Sequence, residues 1–255
     1  MMKLAASTMV LIGLAFWGTR AMFAEDKIKF EVTAGYFSKY IWRGQSLDDG
    51  PVFQPSISLG YKGLTAGIWG NLELTNVNGN SGDFSELDYS MHYSGAIPGV
   101  EGVRYCLGVI YYDFPGTAAP DTTELCWGLN LDLPFSPSIT LYHDVDEADG
   151  TYVLLSLTHG IENIAELAPN IPVGLEIGAS LGWGSKAYDK YYWATDQSKF
   201  NDLVFSLSFP VEVSGWTITP ALNYVTLVSD DIRDTDVYGT DSDFFFAGAG
   251  VSRRF

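Results

Sequence analysis

The segment Phe53-Gln54-Pro55-Ser56-Ile57-Ser58-Leu59-Gly60-Tyr61 sets Phe53, Ile57, Leu59 and Tyr61 against Gln54, Ser56, Ser58 and Gly60. Apolar side chains at every second position mark a strand with two unlike faces, because successive Cβ atoms of an extended chain point to opposite sides. After Lys62-Gly63 the pattern resumes, with Leu64, Ala66, Ile68, Leu72 and Leu74 alternating with Thr65, Gly67, Asn71 and Glu73. A strand of a soluble sandwich alternates too, but is usually about 5 or 6 residues long. These runs reach the roughly 9 to 11 residues that a tilted strand needs to cross hydrocarbon.

The same period extends from Phe30 to the C-terminus. It predicts strands over 30–43, 52–62, 64–75, 84–95, 102–114, 122–133, 137–146, 151–160, 172–183, 201–209, 214–228 and 243–255. Twelve is an even number, as an antiparallel up-and-down transmembrane β-barrel requires. Short connections such as Lys62-Gly63 alternate with longer polar ones such as 75–83 and 184–201, the asymmetry expected between the inner and outer ends of such a barrel. One inner connection is long, and its Ile161-Glu162-Asn163-Ile164-Ala165-Glu166-Leu167 reads as a short amphipathic helix at the inner rim. No linker interrupts the pattern, so the all-β reading assigns a single barrel domain to residues 25–255.

At the N-terminus, Lys3, an apolar run from Met9 to Trp17 and small residues before Ala21 or Ala24 have the layout of a secretory signal peptide over residues 1–24. The run is too short to span a bilayer as a helix, which takes roughly 20 apolar residues. Fourteen Lys+Arg stand against 31 Asp+Glu, a net charge of −17 that repels nucleic acid. Acidic residues gather in the expected outer connections, at Asp48-Asp49, 144–149 and 230–243. Solvation accounts for them, and bridging by divalent cations to anionic lipid heads is the sharper alternative. In the last strand Phe245, Ala247, Ala249 and Val251 alternate toward Phe255, which resembles the C-terminal assembly signal of outer-membrane barrels, although Arg253 stands where that signal places an apolar residue. Outer-membrane lipid, lipopolysaccharide and the barrel assembly machinery are the partners this implies.

Tyr36-Phe37-Ser38-Lys39-Tyr40-Ile41-Trp42-Arg43-Gly44, then Gly67-Ile68-Trp69-Gly70, Glu86-Leu87-Asp88-Tyr89, Tyr111-Tyr112-Asp113-Phe114-Pro115-Gly116 and Thr123-Glu124-Leu125 resemble the Gcw_chp (TorF-type) family. The resemblance covers about residues 30–193. It implies an outer-membrane barrel and leaves the substrate open.

The alternation points Lys39, Arg43, Glu73, Glu86, Asp88 and Glu124 into the lumen, since a Lys or Arg facing lipid at mid-depth costs roughly 2 to 4 kcal/mol. Mixed charges there form either a solvated selectivity zone or a closed salt-bridge network. Tyr40, Trp42, Trp69, Tyr111, Trp127, Trp183, Tyr191, Tyr192 and Trp193 read as interfacial girdles. The run 188–193 in the longest outer loop is the exception, because folding inward it would narrow a pore. Cys106 and Cys126 lie equidistant from Gly116 on adjacent strands, so direct cross-strand pairing and a disulfide are open to them in an oxidising compartment, with two reduced thiols as the alternative. Neither His92, His143 nor His159 has a nucleophile placed to make it a base, no paired spacing suggests a metal, and no cofactor is expected. Three functional readings follow: a passive channel for small solutes, a non-conducting structural or surface-interaction barrel with a salt-bridged lumen, and a membrane-embedded hydrolase, for which no nucleophile stands out.

Overall fold

The computed structural model describes residues 27–255, so the expected leader lies outside the described residues. Strand β1 (Lys29–Phe37) ends at Ser38, whose N–H donates to the Ala247 carbonyl at 2.9 Å. The chain then turns inward as a hairpin, β2 (Tyr40–Trp42) and β3 (Gln45–Asp48), which forms a two-stranded sheet of its own. The first strand is therefore shorter than the periodicity predicts. Arg43 and Gly44, at φ 48° and 83°, make the tight reversal that the alternation of Ile41 and Arg43 conceals.

From β4 (Val52–Tyr61) onward each strand pairs with the next: β5 (Leu64–Glu73), β6 (Phe84–Ala96), β7 (Val103–Asp113), β8 (Thr122–Leu131), β9 (Ser138–Asp144), β10 (Thr151–Ala168) and β11 (Ile171–Gly184). β12 (Lys199–Ser208) follows, and β13 (Val211–Val213) prolongs it past Pro210, where the missing N–H breaks the ladder. β14 (Trp216–Leu227) and β15 (Asp243–Arg254) complete the wall. β15 then pairs with β1, and β1 with β4, closing a twelve-stranded antiparallel barrel. Phe255 and Phe30 exchange backbone hydrogen bonds at the seam, so no barrel edge is left bare there.

Residues 161–167 are strand, not helix. Every side chain from His159 to Asn170 is exposed, which leaves a helix no surface to pack on, and a seven-residue helix is too short to stand alone. Instead the segment pairs with β11 across Pro169-Asn170, with Asn170 in the left-handed region at φ 64° and two register shifts absorbing the irregular spacing. The hairpin overhangs the barrel end at which β1 begins and β15 ends, called here the terminal end. The opposite, loop end carries the long connections.

The two faces separate as the alternation requires. Ile57, Leu59, Ile68, Met91, Leu107, Leu125, Leu155, Ile177, Phe205 and Leu222 point outward and are exposed. Rings stand at both heights of this oily surface, with Tyr89 against Tyr111 toward the loop end and Tyr93 against Tyr105 toward the terminal end. Inward, the terminal half carries short polar side chains, among them Thr33, Ser56, Ser90, Thr140, Ser180, Ser206 and Ser252. The loop half is packed.

Candidate functional site: the plugged upper lumen

The packing of the loop half begins with the β2–β3 hairpin. A two-residue reversal with positive φ at both positions favours Asn-Gly, yet Arg stands first here. At the second position glycine is required, because a Cβ on Gly44 would stand 2.7 Å from the Leu227 side chain. The turn carries the Arg43 side chain into the centre of the barrel. There Nη1 and Nη2 donate to Oε1 and Oε2 of Glu124 at 2.7 and 2.8 Å, with both side chains essentially inaccessible (2% and 1%). This two-pronged geometry is the strongest that a guanidinium and a carboxylate form. The Tyr112 hydroxyl also donates to Glu124 Oε2 at 2.8 Å, which fixes the carboxylate.

Aromatic rings enclose the guanidinium. Its carbon lies 4.4 Å from the ring centroids of Trp42, Tyr142 and Tyr152, and 5.9 Å from that of Tyr188, within the range of cation–π attraction. Tyr142 and Tyr152 come from the inward face of β9 and β10, and the Tyr152 hydroxyl donates to Asp202 Oδ1 at 2.9 Å. Tyr188 comes from helix α1 (Lys186–Trp193) in the longest loop, which does fold inward and buries Tyr188 and Trp193 completely. The Ser185 side chain caps its first turn, accepting from the Tyr188 N–H at 3.4 Å, and Ala194 ends it at φ 53°. Asp189 anchors α1 by accepting from Asn201 Nδ2 at 2.8 Å and from the Lys199 N–H at 2.7 Å. Burial pushes the Asp189 carboxyl up to about 6, and these two donors oppose that rise. Above it, α2 (Asp230–Arg233) buries Ile232, and Tyr238 meets Trp193 edge-on at 5.1 Å.

On the other side of Arg43, Glu86 and Asp88 lie two residues apart on the inward face of β6 and hydrogen-bond each other, and the Tyr40 hydroxyl donates to Glu86. The chamber therefore holds one cation among Glu124, Glu86, Asp88 and Asp202. Glu73 is buried nearer the mouth, where Asn78 Nδ2 donates to it at 3.2 Å. Lys39 does not join this network: it pairs with Asp49 at the rim.

Several aromatic assignments need correction. Tyr40, Trp69 and Trp193 are buried, and Trp42 and Tyr192 pack edge to face in the plug, so none of these belongs to a girdle. Tyr111 and Trp127 do face outward. The register also revises the cysteines. Cys106 faces Gly128 and Cys126 faces Gly108, so the ladder is centred on Thr117, one residue beyond Gly116, and the two thiols are free and diagonal rather than directly opposed. His92 Nδ1 lies 3.7 Å from Cys126 Sγ, His143 Nδ1 2.9 Å from Thr151 Oγ1, and His159 stacks on Phe135 at 5.1 Å. Tyr112, Tyr142, Tyr152 and Asp202 were not legible as site residues, although their parity with Glu124 and Thr140 on the inward face was available.

The fold is that of outer-membrane porins and channels. The chain is similar to the NanC porin at 13% identity and a TM-score of 0.51, over 88% of this chain and 98% of that one. It is also similar to an outer membrane channel from Pseudomonas putida F1 at 10% identity and 0.51, over 93% and 98%. LpxR from Salmonella typhimurium matches at 9% and 0.50, over 88% and 99%. At these identities the likeness is one of fold alone. No family model matches the sequence, and no curated protein does.

Proposed function

We propose that this chain is an integral outer-membrane protein, a passive channel for small solutes whose outer entrance is held shut by its own first loop. The observation that carries the reading is the Arg43–Glu124 pair, buried in the loop half of the lumen, with Arg43 on a hairpin that joins no ladder of the barrel wall. A permanent plug has no need to be independent of the wall, whereas a gate does. The oily outer surface faces acyl chains and the loop end faces lipopolysaccharide. Phe255 at the seam is the element presented to the barrel assembly machinery. The Gcw_chp resemblance agrees with this location and rests on the residues quoted for it.

The second reading, a non-conducting structural barrel, is favoured by the completeness of the aromatic packing around Arg43. Planar-bilayer recordings separate the two. The gated channel predicts a mostly silent wild-type protein and discrete conductance steps once residues 40–48 are replaced by a short Gly-Ser link. Silence of that variant, folded by its unboiled gel mobility, would leave only the structural reading.

A further inference from the structure

The seat of Arg43 is built mainly from parts that do not belong to Arg43's own hairpin. Glu124 and Tyr112 stand on β8 and β7, Tyr142 and Tyr152 on β9 and β10, and Tyr188 on α1, and of the surrounding rings only Trp42 moves with the hairpin. When the hairpin leaves, a carboxylate held by a tyrosine hydroxyl and a set of ring faces stay in place around a guanidinium-sized space. Both oxygens of Glu124 are directed at one plane, and flat rings lie at 4.4 Å from its centre. That arrangement selects a planar, delocalised, weakly hydrated cation over a compact ammonium.

Two further observations mark Arg43 as an imperfect occupant of the site. Arg43 Nε, buried, has no hydrogen-bond acceptor among the described residues. Glu86, Asp88 and Asp202 share the chamber with it, so with Glu124 four carboxyl groups surround one guanidinium. The turn itself points the same way, because Arg43 occupies a left-handed position that Asn or Gly would hold with less strain. An unfavourable local choice of this kind persists where the side chain has work elsewhere.

We propose that the upper lumen is a binding site for a small guanidinium-bearing organic cation, and that Arg43 occupies it as a tethered stand-in for that ligand. The inference rests on the gate reading, since the hairpin must leave for the ligand to enter. It makes the gate ligand-responsive: a free cation competes with Arg43 for Glu124 and the rings.

Two measurements test it, with methylguanidinium as the probe and methylammonium as the control. Calorimetric titration of Arg43→Ala in detergent should show saturable methylguanidinium binding at least about tenfold tighter than methylammonium, lost when Glu124→Gln is added. In the wild-type protein, Arg43 is shielded from trypsin, and millimolar methylguanidinium should raise cleavage after Arg43 severalfold, read by fragment mass, while methylammonium leaves it unchanged. A folded Arg43→Ala that binds neither probe, or both equally, overturns the proposal. Should that variant fail to fold, the wild-type digest decides alone, and no rise in cleavage after Arg43 overturns it. Failure of the gate reading is distinct, because it appears as a hairpin-replaced barrel that stays silent in bilayers.

Discussion

Arg43 and Glu124 show how the two members of one buried pair behave when removed singly and together. Glu124→Gln leaves the guanidinium without its direct partner, and breaking a buried pair typically costs about 3–5 kcal/mol. Asp88 and Asp202 soften the loss, so about 3 kcal/mol of hairpin docking is expected to go. Hydrogen exchange of the amides in 40–48 should then quicken on the order of a hundredfold. Arg43→Met leaves Glu124 buried without its cation and should loosen the hairpin by a similar amount, while Arg43→Met with Glu124→Leu should recover most of the docking. At the cysteines, the register predicts two free thiols: mass spectrometry of the purified protein should find both alkylatable after unfolding without reductant. Glu73, Glu86, Asp88 and Glu124 were legible from alternation, because a charge on the oily face is so costly that its direction is nearly forced. Arg43, in contrast, enters the lumen from a hairpin that the alternation does not show, and Lys39 stays at the rim. The rings around Arg43 were not legible either. Tyr112 and Tyr142 alternate as polar residues do, and a tyrosine satisfies an interface, a core and a lumen equally well on sequence.

Among the elements, the strands were readable and the connections were not. Period 2 recovers β4 through β9 to within a residue or two, since each such strand must show one face to oil. It fails at Tyr40–Asp48, where a second hairpin continues the alternation in a different sheet. It fails again at 161–167, where exposure on all sides removes the pattern that would separate strand from helix. The inward folding of α1 adds a pH dependence. Its Asp189 carboxyl is raised from its ordinary value to about 6 in the docked loop, so docking favours the protonated form. The stabilisation is complete below about pH 4 and is lost as pH rises through about 6. Exchange of the α1 amides, corrected for intrinsic rate, should therefore be slower at pH 5 than at pH 8. Asp189→Asn should abolish that difference, and a wild-type loop whose protection ignored pH would contradict the assignment.

At the scale of the whole molecule, the wall is inverted relative to a soluble protein, with its large apolar side chains outside. Leu107, exposed at mid-strand, tests this directly: Leu107→Arg should lower the unfolding free energy in phospholipid by about 2–4 kcal/mol, whereas inward-facing Ser206→Ala should change it by less than about 1 kcal/mol. Charge is polarised along the axis as well. At the loop end Asp146, Asp230, Asp231, Asp234, Asp236 and Asp241 are among acids that outnumber Lys186, Lys190, Lys199 and Arg233, whereas at the terminal end Lys29, Lys62, Arg253 and Arg254 stand beside Glu101, Asp132, Glu162, Glu166 and Glu212. The seam between β1 and β15 carries a further meaning for how the molecule is made. Glu31 meets Arg254, so the first and last strands of the wall are neighbours. Until the final strand has been delivered, every shorter chain is an open sheet with two bare edges and an oily flank. The most distant pairing in sequence is the one that must wait longest, and until it forms those edges have to be guarded against other strands.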